Sequence, residues 1–350
     1  MAHWNSTLML FYFLHILSTA FQVNAHYWFF PRAPGVAFGL TPDYGQVVAA
    51  IHLKDGTTVP IARIQGRPDY QAFMRKRTTS TTHDSSTLCR WFSPVLNVLP
   101  SALGLDVNIC HHPDVNSVKT LLGTLKVAVE SYLGTNFCYA ALSFDHVQKN
   151  YEESVAREAL RALGVSPILG VIQAAKCEIL SREPRGEPDF DAPGYEIPEP
   201  RTVLAIDYSL HWFNVGMYTF DEGVILDPVE GTVVGPTIEK DNQLQALKES
   251  LEHLFAKPPP EFNLPEDIHQ LLVYGDDSHN EALYPLLENF LGADLVRNAN
   301  ISTSVFDGVA FLAEAAHDYM NDVQFEEKVR PHFGCMWRSK LYRKPGHSEL

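Results

Sequence analysis

The sequence predicts an α/β protein of two lobes joined by a proline-rich crossing, and three observations carry that prediction. Short apolar runs of strand type alternate with apolar residues at helical spacing in both halves of the chain. Glycines, Gly134 and Gly164, stand just beyond two helical stretches, where a chain leaving a helix adopts a left-handed residue. Between the halves, Ser181 to Pro200 holds five prolines, at 184, 188, 193, 198 and 200, together with Gly186 and Gly194. That composition resists regular structure and reads as a linker.

In the first half, Gly35 to Ile51 reads as strand, turn, strand, and Lys54-Asp55-Gly56 turns the chain into a third strand over Thr57 to Ile64. Tyr70 to Asn116 has no clear period, is rich in Ser, Thr and Pro, and reads as an irregular insertion. Val118, Leu121, Leu122, Leu125, Val129, Tyr132 and Leu133 then share one helical face. A strand over Phe137 to Ser143, a helix from about Gln148 to Leu163, a strand over Ile168 to Ile172 and a helix from Ala174 to Leu180 follow.

The second half opens with strands over Thr202 to Ile206, Trp212 to Phe220 and Gly223 to Val229. A helix from Asn242 to Ala256 buries Leu244, Leu247, Leu251, Leu254 and Phe255, and Pro258-Pro259-Pro260 ends it. Next come a strand over Leu271 to Tyr274, a helix over Asn280 to Leu291, a strand over Ala293 to Val296 and a helix over Ser304 to Met320. The expected organisation is a signal peptide over 1–25, a first lobe over 26–181 with its insertion at about 70–116, and a linker over 182–200. A second lobe over 201–320 and a tail over 321–350 complete it.

The chain has 350 residues, 39.3 kDa, and a formal net charge of −15, which argues against nucleic acid as the main partner. Its 45% hydrophobic content excludes a wholly disordered chain. Leu8 to Leu17 is apolar except for His15 and precedes small residues, with Ala25 as the expected cleavage site. The n-region lacks Lys and Arg. An uncleaved anchor over residues 8–21, the one route to a membrane, and a buried N-terminal helix stay open as alternatives. The C-terminal His347-Ser348-Glu349-Leu350 resembles a retrieval address with one position changed. Asn300-Ile301-Ser302 is a glycosylation sequon. Together these signals point to the endoplasmic reticulum lumen first and secretion second. Of five cysteines, Cys89 and Cys110 flank one loop-rich insertion and could close a disulfide there. Cys138, in an apolar run, reads as a small buried hydrophobe.

No phosphate loop, dinucleotide fingerprint, zinc-protease helix or nucleophile elbow is present. His111-His112 has no third ligand at metal spacing and reads as a solvated loop. Gly275-Asp276-Asp277 reads as a strand-to-helix turn with Asp at the N-cap.

The order of the pieces does carry information. Val36 to Ile51 is similar to the first phosphate hairpin of the nucleotide-binding domain of Hsp70 chaperones, in the actin and sugar-kinase superfamily. Leu142 to Leu180 is similar to that family's first connecting segment, and Val203 to Thr219 to its second phosphate hairpin. Ile268 to Leu291 resembles the adenosine segment, and Val305 to Ala316 the closing helix. The resemblance covers residues 35–64 and 118–318. It implies two actin-like, ribonuclease-H-like lobes around a central cleft, with a reduced second lobe, since Ala256 to Ile268 is too short for the part that covers adenine. No Hsp70 substrate-binding domain is expected, because only thirty residues follow position 320.

Residue by residue, the resemblance maps nucleotide contacts onto Gly39, Thr41, Asp207, Ser209, Gly275 and Gly308, and so implies ATP or ADP with Mg²⁺. The rest of the apparatus is lost. Ala37 stands where the first hairpin carries its Asp, and Ala174 where the connecting segment carries its Glu. Ser209-Leu210-His211 replaces three glycines, Asn214 a second Asp and Tyr274 a glycine. Side chains at Leu210 and His211 are expected to intrude where phosphate oxygens would sit. Removing one preorganised group commonly costs on the order of 10²–10³ in rate, so several losses leave no useful turnover. The expectation is a non-catalytic, lumenal binding or scaffold protein with a protein partner. The alternatives are a divergent Mg-ATP-dependent ATPase or chaperone-like protein using Asp207, and an unrelated secreted α/β protein.

Overall fold

The computed structural model describes residues 34–50, 58–75, 112–145, 151–183, 199–221, 224–229, 234–237, 242–259, 262–302, 304–321 and 335–341. The N-terminal segment, Cys89, Cys110 and the C-terminal tetrapeptide lie outside them. The fold is mixed α/β with two mixed sheets.

The first sheet uses β1 (Gly35–Leu40), β2 (Tyr44–Ala50), β3 (Thr58–Gln65), β4 (Tyr139–Phe144) and β5 (Ser166–Gln173) in the order β3-β2-β1-β4-β5. The first two pairings are antiparallel and the last two parallel. The second sheet uses β6 (Arg201–Ser209), β7 (Trp212–Asp221), β8 (Val224–Pro228), β10 (Gln270–Tyr274) and β11 (Asn300–Ile301), with β9 (Val234–Thr237) paired to β7. Its order, β8-β7-β6-β10-β11, repeats the first sheet's order and strand senses.

Strand alternation explains how the first sheet is layered. Val36, Phe38 and Leu40 face α1 (Pro68–Arg75), α2 (Pro113–Leu133) and α3 (Tyr151–Ala162) in one apolar cluster. Between them stand Gly35, Ala37 and Gly39, and this small-residue face receives α8 (Asp307–Asn321). A Cβ at Gly35 would lie 2.0 Å from the Ala313 carbonyl oxygen, and one at Gly39 2.5 Å from Val309 Cγ2. On one face of the second sheet, Leu204, Ile206 and Tyr208 pack with α5 (Gln243–Ala256) and α6 (Leu283–Leu291). The opposite face, Val203, Ala205 and Tyr274, meets Ala175 and Ile179 of α4 (Ala174–Leu180). Helices α4 and α8 pack on each other, so this pair bridges the sheets.

Several local expectations are corrected. Pro68 to Arg75 is helical within the expected irregular insertion, fixed by fully buried Tyr70. Helix α2 starts at Pro113, a residue suited to a first turn, and His112 caps it by accepting the Asp114 N–H at 3.3 Å rather than floating in a loop. Ala293 to Arg297 forms a short helix, α7, instead of a strand. Arg297 bonds the Asp294 carboxylate at 2.8 Å and the Ala293 carbonyl at 3.1 Å, contacts at the three- and four-residue spacing of a helical turn. The strand comes later, at β11. Asp276 is no helix cap, since α6 begins at Leu283.

Cys138 is bonded to Cys335, not a free buried thiol. The bond brings α9 (Cys335–Arg338) against the first sheet, where Ser339 Oγ donates to the Asn136 carbonyl and the Lys340 N–H to Thr135 Oγ1 at 2.8 Å. Cys177 is the free cysteine among the described residues, and burial pushes its thiol pKa up. The disulfide joins residues 197 apart, so it removes much loop freedom from the unfolded chain. Reduction, or Cys138→Ser, should lower unfolding free energy by about 2–4 kcal/mol, read as a shifted denaturant midpoint with and without reductant.

Candidate functional site

A cleft opens between the two sheets at the carboxyl ends of β1, β4, β6 and β10, the side where α/β sheets bind ligands. Its free space, open solvent included, is about 520 Å³. All six residues singled out from the sequence line it. Gly39 and Thr41 come from β1 and its turn, Asp207 and Ser209 from β6, Gly275 from the end of β10 and Gly308 from α8.

Their environments show what each does. Thr41 closes the β1–β2 turn: its N–H donates to the Tyr44 carbonyl at 2.9 Å, and its Oγ1 accepts the Tyr44 N–H at 3.2 Å. Its own carbonyl accepts the Tyr70 hydroxyl at 2.7 Å. Gly39 is held by steric need, as its missing Cβ leaves room for Val309. Gly308 donates its N–H to Glu178 Oε1 at 2.8 Å, and a Cβ there would sit 2.8 Å from the same oxygen. Gly275 has φ +105°, a conformation reserved for glycine, and a Cβ would lie 2.4 Å from Asp207 Oδ1.

Asp207 itself is 4% exposed and accepts the Ser209 hydroxyl at 3.0 Å. Burial, then the charge of Asp145, raise its pKa well above the usual carboxylate range. Asp145, at the end of β4, receives the Asn214 carboxamide N–H on its backbone carbonyl at 3.2 Å, a contact between the first sheet and the second. Burial pushes the Asp145 carboxyl from 3.8 to about 7, and the Glu178 carboxyl from 4.5 to about 7. Asp145 Oδ2 and Glu178 Oε2 are buried without a partner among the described residues, which makes the charged forms costlier still.

Sequence reading missed Glu178, Asp145 and Arg63. Glu178 lies one helical turn beyond Ala174, on the same face of α4, so a search along that helical face would have found it. Leu210 and His211 do not intrude. They sit exposed at the tip of the β6–β7 hairpin, outside the cleft lining. The group beside that tip is Asp276, whose Oδ1 accepts the Leu210 N–H at 2.8 Å. Among the described residues no three His, Cys, Asp or Glu side chains stand together as metal ligands, and no helix is long and apolar enough to cross a membrane. Asn300 of the sequon is exposed on β11, and the Ser302 hydroxyl donates inward to Asp307 at 3.0 Å.

The two acids give stability a sign with pH. Each holds its proton more tightly folded than unfolded, so its contribution is full below about pH 4 and lost as pH rises through about 7. Urea midpoints should therefore fall from pH 5 to pH 8. Glu178→Gln, which keeps an acceptor for the Gly308 N–H, should flatten that slope by up to about 3 kcal/mol. An unchanged slope would mean that Glu178 is ionised in the fold.

The chain matches no protein-family model, and no curated protein is significantly similar to it.

Proposed function

We propose that this chain is a non-catalytic, Hsp70- or actin-like protein of the secretory lumen that works by binding a protein partner. The repeated strand order of the two sheets, their facing cleft and the bridging pair α4 and α8 support the two-lobed reading. The Cys138–Cys335 disulfide supports an oxidising compartment, consistent with the endoplasmic reticulum or secretion.

The observation that carries the non-catalytic reading is the state of Asp207, the one carboxylate kept from the family's set. It is buried under the Gly275 turn, hydrogen-bonded to Ser209 and driven toward its neutral form by burial and by Asp145. A carboxyl enclosed in this way, with Oδ1 taken by the Ser209 hydroxyl, has little open surface to present to a hydrated Mg²⁺. That enclosure supports a cleft that does not work on a nucleotide with its metal. What remains is a folded body whose surface is its working part.

A thermal melt of the chain lacking residues 1–25, with millimolar Mg-ATP or Mg-ADP, tests this. No change in midpoint and no ATP hydrolysis are expected. A bound nucleotide at one hundred times its dissociation constant would add about 2.7 kcal/mol, a plain upward shift. Such a shift, with hydrolysis lost in Asp207→Ala, would establish the divergent ATPase instead.

A further inference from the structure

Arg63 lies on β3 of the first sheet and Asp276 follows β10 of the second, so their ion pair spans the cleft. Arg63 Nη2 approaches Asp276 Oδ2 at 2.6 Å, while Asp276 Oδ1 accepts the Leu210 backbone N–H at 2.8 Å. The Asp276 side chain keeps 11% of its surface exposed and the Arg63 side chain 26%, so the pair is largely shielded.

Both donors are held in place by contacts that do not involve Asp276. The Arg63 guanidinium lies 3.9 Å from the centroid of the Tyr44 ring. The hairpin that presents the Leu210 N–H is held by Gln243, whose Nε2 donates to the Ser209 carbonyl and, at 2.9 Å, to that of Trp212. Arg63 Nε, moreover, is buried with no partner among the described residues. A hairpin N–H and a stacked guanidinium with a donor to spare, converging from two lobes, make the donor set of an oxyanion site.

We propose that Arg63 and the Leu210 N–H form an oxyanion seat that the chain fills with its own Asp276 carboxylate, latching the two lobes together. An external phosphate or carboxylate group then takes the seat only by displacing Asp276. This inference stands on the cleft geometry and does not need the family reading.

Inorganic pyrophosphate is the probe, titrated calorimetrically into the purified protein, Asp276→Ala, Asp276→Asn and the double variant Asp276→Ala/Arg63→Gln. Asp276→Ala should bind at least 10-fold more tightly than the unaltered protein, and the double variant should lose that gain. Asp276→Asn keeps an acceptor for the Leu210 N–H, and so provides a folded test if the alanine variant fails to fold. It should also gain affinity, because its neutral amide no longer competes for Arg63. Small-angle scattering should show a larger radius of gyration for Asp276→Asn and Arg63→Gln than for the unaltered protein. Equal affinity across the set overturns the seat, and an unchanged radius in both variants overturns the latch. No binding by any variant overturns the seat while leaving the non-catalytic reading in place.

Discussion

The approach of α8 to β1 is the contact on which the cleft depends. Gly35, Ala37 and Gly39 present almost no side chain on one face of β1, so the backbone of α8 comes down to where any Cβ at Gly35 would strike a carbonyl oxygen. A close-packed interior cannot absorb such overlap without moving a whole element. With α8 seated there, its first turn brings Gly308 to Glu178, and α8 and α4 lock into the pair that joins the sheets. The other face of the same strand carries Val36, Phe38 and Leu40 into the main apolar cluster, so one six-residue strand sets the position of helices on both sides.

That packing explains why the acids in the cleft are unusual. Asp145, Glu178 and Asp207 end up in a shared interior because three separate elements are drawn together by apolar contacts around them. Burial of like-charged groups disfavours ionisation, and the hydrogen bonds each receives offset that only in part. The glycine N–H to Glu178 and the Ser209 hydroxyl to Asp207 tie two of these acids into the cleft wall, and the Asn214 amide holds the Asp145 segment beside it. Asp276 differs, because it meets a cation from the other sheet.

Hydrophobic period made most of the elements legible. The helical face from Val118 to Leu133 and the alternation from Gly35 to Leu40 are local patterns, set by which side of an element meets the core. Where a short segment carried both readings, local pattern failed. Ala293 to Val296 is apolar enough for a strand, yet the Arg297 contacts to Asp294 and Ala293 stabilise a turn of helix. The six candidate residues line the cleft because the order of hairpins and crossovers dictates which loops share one end of each sheet.

What the sequence determined by itself was most of the elements and their order along the chain. What only the tertiary structure decided was pairing across distance. Cys138 and Cys335 are 197 residues apart, and Arg63 and Asp276 are 213 apart. Nothing in the neighbourhood of either member names its partner. Those contacts arise when packing of apolar faces brings remote segments to one place, and their chemistry is fixed by the low-dielectric surroundings that the same packing creates.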